Sequence, residues 1–443
     1  MILASDRTHG PIARAARALT HHFRPATFRK HFTTLSSRQL LGTSFTNLAL
    51  TLVPTGLLLA RFLGPAARGE IVIILQWPAF LGAVASFGLA RSTCYWTAAA
   101  EHRRDVVLST ASFLAVIIGL VLALLGPIIA PLITSTPDVM HMLVLMFLVA
   151  PFNIVGGIWS AYLQAVDIRR WNIGRSIQTP LFTAGVLLLW FGQRLTVVTA
   201  SYAFALTLFI QTIYLFTSVH RHARPSLIPH VATAKDLLGY GTKEWFGSTP
   251  RLVNVSIDQL LLSVWPGITT AQLGIYSVAV TLSGVTQPLT QALGSLAFPR
   301  IARSHDQNTA SAIQNSSISL AATTSVLLQV LLCLSAPLLV PFLFGGGFRA
   351  SVDVIWLLAP GSVMLGVSHV SAEIAKGRGK PLTASIAELL GAATTVGLLL
   401  TLVPWFGING AAITSTVAYG IVLIYLAQSA LRIRAIPASA EPT

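Results

Sequence analysis

Long apolar runs separated by short polar gaps dominate this chain, and the length of the runs predicts membrane-spanning helices. A spanning helix needs about 20 apolar residues at about 1.5 Å rise each. Segments 39–60, 70–92, 106–133, 138–164, 172–192, 195–217, 245–266, 274–297, 314–344, 351–375, 381–404 and 407–431 meet that length, so twelve spans are expected. The basic stretch 218–244 falls mid-chain and reads as a cytoplasmic linker between an N-lobe (38–217, spans one to six) and a C-lobe (245–434, spans seven to twelve). Residues 1–37 and 435–443 read as cytoplasmic tails, the first of them basic.

The two halves share residues. Sliding the chain on itself by 209 positions sets Leu148, Ala150, Pro151, Gly157, Arg169, Ser176 and Ile177 against Leu357, Ala359, Pro360, Gly366, Arg378, Ser385 and Ile386. A shift of 205 sets Gly69 against Gly274, each opening the second helix of its half. A parallel repeat of six plus six spans is expected, with its axis along the membrane normal and a central cavity between lobes.

Charge fixes the orientation. Alternate gaps, counting both tails, carry 24 of the Lys and Arg residues, the other gaps hold only Arg61, Arg68, Arg194 and Arg349, and Arg251 is left inside an apolar run. The positive-inside rule then puts both termini in the cytoplasm. The net charge of +15 is accordingly topogenic, and a composition 54% hydrophobic and 10% charged has too little polar surface to cover a soluble globule. Basic residues spread over short loops, without interleaved aromatics, do not suggest nucleic acid. Cys94 and Cys333 offer neither a disulfide framework nor metal-ligand spacing. No cleavable signal peptide is evident, because residues 1–37 are polar and basic.

One span carries an unusual polar stripe. Glu244, Ser248, Arg251, Asn254 and Asp258 are spaced by 4, 3, 3 and 4, which places all five on one helical face. A charge at mid-bilayer costs at least about 2.5 kcal/mol, so the stripe must face water or polar partners. From Lys243, Arg251 lies about 12 Å deep and Asp258 about 22 Å deep. A water-filled cleft is expected, with Arg251 matching phosphate oxygens in bidentate fashion. The alternative is an internal Arg251–Asp258 ion pair, or a link to a neighbouring helix that fixes packing.

Softer polar faces accompany it. Ser283, Gln287, Thr290, Gln291 and Gly294 share one side of 274–297, as do Thr43, Asn47 and Thr51 on the first span. Such groups bond sugar, or equally glue helices together. Arg91 ends the second span on the basic side, as a first phosphate contact or a snorkelling cation. His369 and Glu373, at i and i+4 near the end of span ten, and Glu388, about 10 Å into span eleven, are candidates for coupling or gating. Coupling to a proton gradient, a sodium gradient or the membrane potential stays open, and no cofactor or metal is expected.

Several motifs resemble a known family. LLLARFLGPAARGEIVIILQWPAFLGAVASFGLAR (57–91) is similar to the opening repeat of Wzx-type polysaccharide-biosynthesis flippases of the multidrug/oligosaccharidyl-lipid/polysaccharide (MOP) exporter superfamily. The second half adds LGIYSVA and FPRIA elements within 258–303, then FGGGFRASVDVIWLLAPG (344–361) and FGINGAAITSTVAYG (406–420). The resemblance implies an all-α, MATE-like fold of twelve or fourteen helices in two lobes, alternating access, and outward movement of a lipid-linked oligosaccharide across the bacterial inner membrane. It also implies membrane lipid as a partner, and polysaccharide polymerase and glycosyltransferases of the same pathway. The first span lacks the acid of the superfamily's multidrug antiporters, which weighs against drug or small-metabolite export as the alternative. Twelve spans in place of fourteen weigh against a lipid II flippase.

An enzyme is the rival class. Membrane glycosyltransferases and polymerases need acids and sizeable loops on the outer face, whereas the outer gaps here are short. Their acids, Glu70, Asp138 and Asp353, stand at helix starts, where the helix dipole favours negative charge. No GxSxG, HExxH, P-loop or Cys-rich constellation appears. Transport, and not catalysis, is the expectation.

Overall fold

A computed structural model describes residues 56–99, 103–223, 228–302, 304 and 307–434, and every regular element among them is a helix. The predicted first span enters this range only with its last residues. Thr43, Asn47 and Thr51 therefore lie outside the described residues, as do the tails 1–37 and 435–443.

Helix α1 (Leu59–Ala85) is broken at Gly64, whose φ of 82° no ordinary side chain adopts comfortably. Pro65 follows, suited to a first helical position because it has no N–H to leave unbonded. The second span thus starts ahead of residue 70. It also turns earlier than predicted: Phe87 (φ 44°) and Gly88 (φ 67°) interrupt the hydrogen-bond ladder, and α2 (Leu89–Ala99) continues at 49° to α1. Helices α3 (Arg104–Ile133) and α4 (Pro137–Val166) fall on predicted spans.

The fifth span is divided at Ile177 into α5 (Ile168–Ser176) and α6 (Gln178–Phe191). Asp167 caps α5, accepting from the Arg170 N–H at 3.1 Å, with His222 Nε2 3.2 Å from its other oxygen. The backbone bond first, and the His222 contact with it, hold this carboxyl below the usual range. Helix α7 (Val197–Val219) opens on a reciprocal Thr196–Thr199 cap.

The central linker is shorter than expected. Helix α8 (Val231–Val264) already begins at Val231, so residues 231–244 are the first turns of the seventh span and not free chain. The eighth span is α9 (Thr270–Ser283) and α10 (Gln287–Ala302), joined by a tight turn at Gly284–Thr286. Helices α11 (Gln307–Phe344) and α12 (Ser351–Gly377) follow, and α13 (Pro381–Arg434) holds both last spans, divided at Gly407 (φ 55°, ψ −133°).

Among the described residues six helices are long and apolar enough to cross a membrane, and the bent α1–α2 pair passes as a seventh. The remaining predicted spans miss that test because they are broken (α5 and α6, α9 and α10) or carry the polar stripe (α8). Leu124, Leu132, Leu334, Leu338 and Phe342 are 75–80% exposed, a cover of large apolar groups suited to lipid. The chain is a multi-pass membrane protein.

Two lobes are evident. In the first, α4 packs against α2, α3 and α7; in the second, α12 packs against α10, α11 and α13. The helices matched by the 209-residue shift are these two centres, and they are the most buried spans, at 50% and 61%. The 205-residue shift is realised as direct contact. A Cβ on Gly69 would lie 1.8 Å from Thr270 O, and one on Gly274 would lie 2.0 Å from Pro65 O. Thr270 is the counterpart of Pro65 under the same shift, so α1 and α9 meet by a reciprocal contact, which is what a two-fold axis through their crossing demands.

At the opposite, basic end the lobes meet through α8. Trp245 Nε1 donates to Val84 O at 2.7 Å, Ser92 Oγ to Leu237 O at 2.7 Å, and Tyr95 stacks on Tyr240 at 4.3 Å. Gly88 and Gly241 let the backbones touch, since a Cβ on Gly88 would stand 2.3 Å from Gly241 O. Helix α8 is thus docked on the N-lobe by its first turns and on α13 of the C-lobe by its last, with Gly247 and Pro250 between.

Candidate functional site

The five-residue stripe of α8 does not share one environment. Glu244 and Ser248 lie nearest the basic end: Ser248 is exposed, and its hydroxyl bonds only its own helix, at Glu244 O (3.0 Å). Arg251 is half-buried, and its Nη1 contacts His369 Nδ1 on α12. With the guanidinium as donor, His369 accepts on Nδ1 and carries its proton on Nε2.

Asn254 and Asp258 are sealed, 1% and 2% exposed. Asp258 Oδ2 accepts from Tyr276 Oη at 2.6 Å and Ser415 Oγ at 3.1 Å, and its Oδ1 accepts from the Gln259 N–H at 2.7 Å. Asn254 Nδ2 donates to Glu388 Oε2 at 2.9 Å, while Thr395 Oγ1 donates to Asn254 Oδ1 at 3.1 Å. Gly391 makes room, because a Cβ there would lie 2.8 Å from Asn254 Nδ2.

The expectation that Asn254 and Asp258 wall a cleft is therefore corrected. They bind α8 to α9 and α13 inside the C-lobe. A helix face that is polar in a membrane is satisfied by water or by partner helices, and here hydroxyls and a carboxylate from neighbouring helices do so. The ion pair weighed between Arg251 and Asp258 does not form either, since each has a different partner.

The gating candidates are also redistributed. His369 and Glu373 do not pair: His369 meets Arg251, and Glu373 Oε1 receives Lys376 Nζ at 2.8 Å. Both side chains pack over Gly294 of α10, where a Cβ would stand 3.0 Å from Glu373 Cγ. Glu388 is 5% exposed, held by Asn254, with no described ion pair. In the softer face of α9 and α10, Ser283 and Thr290 are buried, Gln287 is half-buried and Gln291 is exposed. Of these four, only the two glutamines keep exposure. Arg91 is exposed on α2, one turn before the Tyr95 that stacks on α8. Asn47 lies outside the described residues.

Sequence periodicity missed Tyr276, Thr395 and Ser415, the partners of the sealed pair. Each stands on another helix, and no spacing along one helix points to it. The aromatic seal of Tyr95, Trp96, Tyr240 and Trp245 carried a faint signal, as two aromatic clusters flanking short glycine steps. Of the predicted site residues, Arg91, Ser248 and Gln291 are exposed and Arg251 and Gln287 half-buried, while Asp258 and Glu388 are buried acids of the C-lobe. Among the described residues no cluster of His, Cys, Asp or Glu could hold a metal.

Among the described residues two packed helical lobes meet at a reciprocal glycine crossing, and the half-buried Arg251 of α8 contacts His369 of α12, in a multi-pass membrane bundle. The chain belongs to the polysaccharide biosynthesis protein family, whose model matches residues 58–353. That stretch contains almost all of the 57–91 and 258–303 motifs. A search of curated proteins returned no significant match.

Solved structures share the fold at low identity. An inward-facing multidrug resistance MATE family transporter of the MOP superfamily superposes with TM-score 0.74 at 16% identity, covering 89% of this chain and 96% of that one. The lipid II flippase MurJ in an inward closed conformation gives 0.73 at 15%, covering 90% and 88%. An outward-facing MATE transporter of the same superfamily gives 0.62 at 16%, covering 91% and 95%. The fold is that of the MOP superfamily.

Proposed function

We propose that this chain is a flippase that moves a polyprenyl-diphosphate-linked oligosaccharide, or a glycolipid of similar amphipathic build, from the inner to the outer leaflet of the bacterial plasma membrane. The observation that carries the proposal is membership of a polysaccharide biosynthesis family on a two-lobed transporter fold. The count of 24 against 4 basic residues puts the α8 seal on the cytoplasmic side and the Gly69–Gly274 crossing on the outer side. Alternating access then consists of parting one contact while the other closes. Substrate does so by binding one state more tightly.

Arg251 takes the diphosphate. It is the cation set deepest within a predicted span, it retains exposure, and the His369 contact orients its guanidinium while leaving four N–H groups for phosphate oxygens. Ser248, Gln287 and Gln291 are placed to bond sugar hydroxyls, and Arg91 to make the first phosphate contact. The prenyl tail stays in lipid. Glu388 is the coupling group: an acid buried within a predicted span, it is held by Asn254, which links it to the α8–α13 junction. Polymerase and glycosyltransferases of the same pathway are the expected partners.

The test is surface polysaccharide display in cells that depend on this protein, with membrane abundance of each variant measured alongside. Arg251→Ala abolishes display and Arg251→Lys restores it only in part, because an ammonium cannot bond phosphate bidentately. Unimpaired display in Arg251→Ala at normal abundance removes Arg251 from the mechanism.

A further inference from the structure

We infer that a groove on the lipid-facing side of the N-lobe holds an acyl chain of an anionic phospholipid, whose phosphate rests on a cluster of Arg and His at the groove's basic end. The groove has a volume of about 310 Å³ and runs between α3, α4 and α7, walled by Val116, Phe152, Val155, Trp159, Phe209 and Phe216. Its one polar lining group, Thr212, turns its hydroxyl to the Leu208 and Phe152 carbonyls at 2.9 and 3.3 Å, so the wall presented is hydrocarbon and ring. Phe152, Phe209 and Phe216 are 42–44% exposed, which leaves the groove open sideways to lipid.

Its depth matches one leaflet. Counted from the basic ends of α7 and α4, Phe216 lies about 5 Å in and Phe152 about 21 Å in, against a half-core of about 15 Å. Above the groove α3 and α4 are held close at Pro151, which packs so tightly on Gly119 that a Cβ there would stand 2.4 Å from Pro151 Cα. The groove is therefore a fixed feature of how α3 and α4 cross.

Charge at the mouth selects the headgroup. The Phe216 ring, at the groove's lower rim, touches the His220 ring at 3.9 Å between centroids. Arg221 and His222 follow, both exposed, and Arg170 Nη1 lies 3.2 Å from His222 Nε2. Arg169 and Arg175 stand exposed on the same short helix α5, Arg175 over the Trp171 ring at 4.8 Å. Among the described residues Asp167 is the acid paired within this group, and Arg170 and His222 already engage it. Cations in excess at the end of an apolar, one-leaflet groove complement a lipid that is hydrocarbon above and anionic below. The site lies within the N-lobe, away from Arg251 on α8.

The full-length protein, purified from nanodiscs of phosphatidylglycerol mixed with phosphatidylcholine, is analysed by native mass spectrometry for retained lipid. The expected result is retention of phosphatidylglycerol over phosphatidylcholine, reduced about tenfold or more in Arg170→Gln/Arg221→Gln, because each basic group near a membrane surface is worth about a fivefold preference. Ile213→Trp, which fills the groove from its exposed side, removes retention of both. Equal retention of the two lipids by the wild type overturns the inference. So does unchanged phosphatidylglycerol in the double Gln variant, shown folded by an unshifted thermal unfolding profile. Displacement of phosphatidylglycerol by polyprenyl phosphate at equal concentration overturns the choice of a phospholipid as occupant.

Discussion

Adding a single methyl group at Gly69 should prise the lobes apart at the outer end. Its Cβ would sit 1.8 Å from Thr270 O, a backbone atom that cannot swing away. Restoring an ordinary contact near 3.4 Å requires α1 and α9 to separate by about 1.6 Å, and overpacking of this kind costs about 1–3 kcal/mol. That cost falls only on the state in which α1 and α9 touch. States with the crossing parted gain by the same amount, a shift of about 5- to 150-fold in their ratio.

The assay uses a background with Cys94 and Cys333 replaced and one reporter, Leu273→Cys, which is 1% exposed beside the crossing. Labelling by a membrane-impermeant maleimide follows the parted population when opening is fast relative to reaction. Gly69→Ala should accelerate it within that range. Gly274→Ala should match it, because its Cβ would lie 2.0 Å from Pro65 O by the reciprocal contact. Gly157→Ala, whose Cβ would meet nothing within 4 Å, is the control and should leave labelling unchanged. Equal labelling in Gly69→Ala and the control, in folded protein, would refute the claim that this crossing closes the outer side.

Other outcomes follow from the C-lobe and the helix ends. Tyr276→Phe strips Asp258 of its shortest hydrogen bond, and thermal unfolding in detergent should show a loss of about 1–3 kcal/mol, with Ser415→Ala costing less. Gly407→Ala forces a side chain into a region reserved for glycine and should cost about 1–3 kcal/mol, seen as lower yield of folded protein. Glu388→Gln should leave the protein folded, since an amide still bonds Asn254, while making glycolipid movement into vesicles independent of an imposed proton gradient; retained dependence would displace Glu388 as the coupling group. Asp167 has a carboxyl held below its ordinary value of 3.8, so its cap on α5 is fully present above that pH and lost as pH falls through the lower folded value. Amide exchange at Arg170, corrected for intrinsic rate, should show protection disappear only on the acid side, and Asp167→Asn should flatten the response.

The chain's apolar runs determined which segments are helices in lipid, because hydrocarbon admits only backbones bonded within themselves, and its alternating basic gaps point to both termini being cytoplasmic. The repeat was legible as well: Gly69 and Gly274 were matched by a shift of 205, and the same shift names Pro65 and Thr270 as the atoms they approach. Helix breaks were less so, since the turn at Phe87 is made by a residue whose φ of 44° no sequence rule anticipates. The polar stripe of α8 shows where the sequence ran out. Periodicity stated that Ser248, Arg251, Asn254 and Asp258 share a face, but the covering of that face is decided by helices distant in the chain. Tyr276, Glu388, Thr395 and Ser415 close the deeper half, His369 holds Arg251, and Ser248 is left open. Which polar groups meet partners and which stay accessible depends on how helices cross, and that was settled by tertiary packing alone.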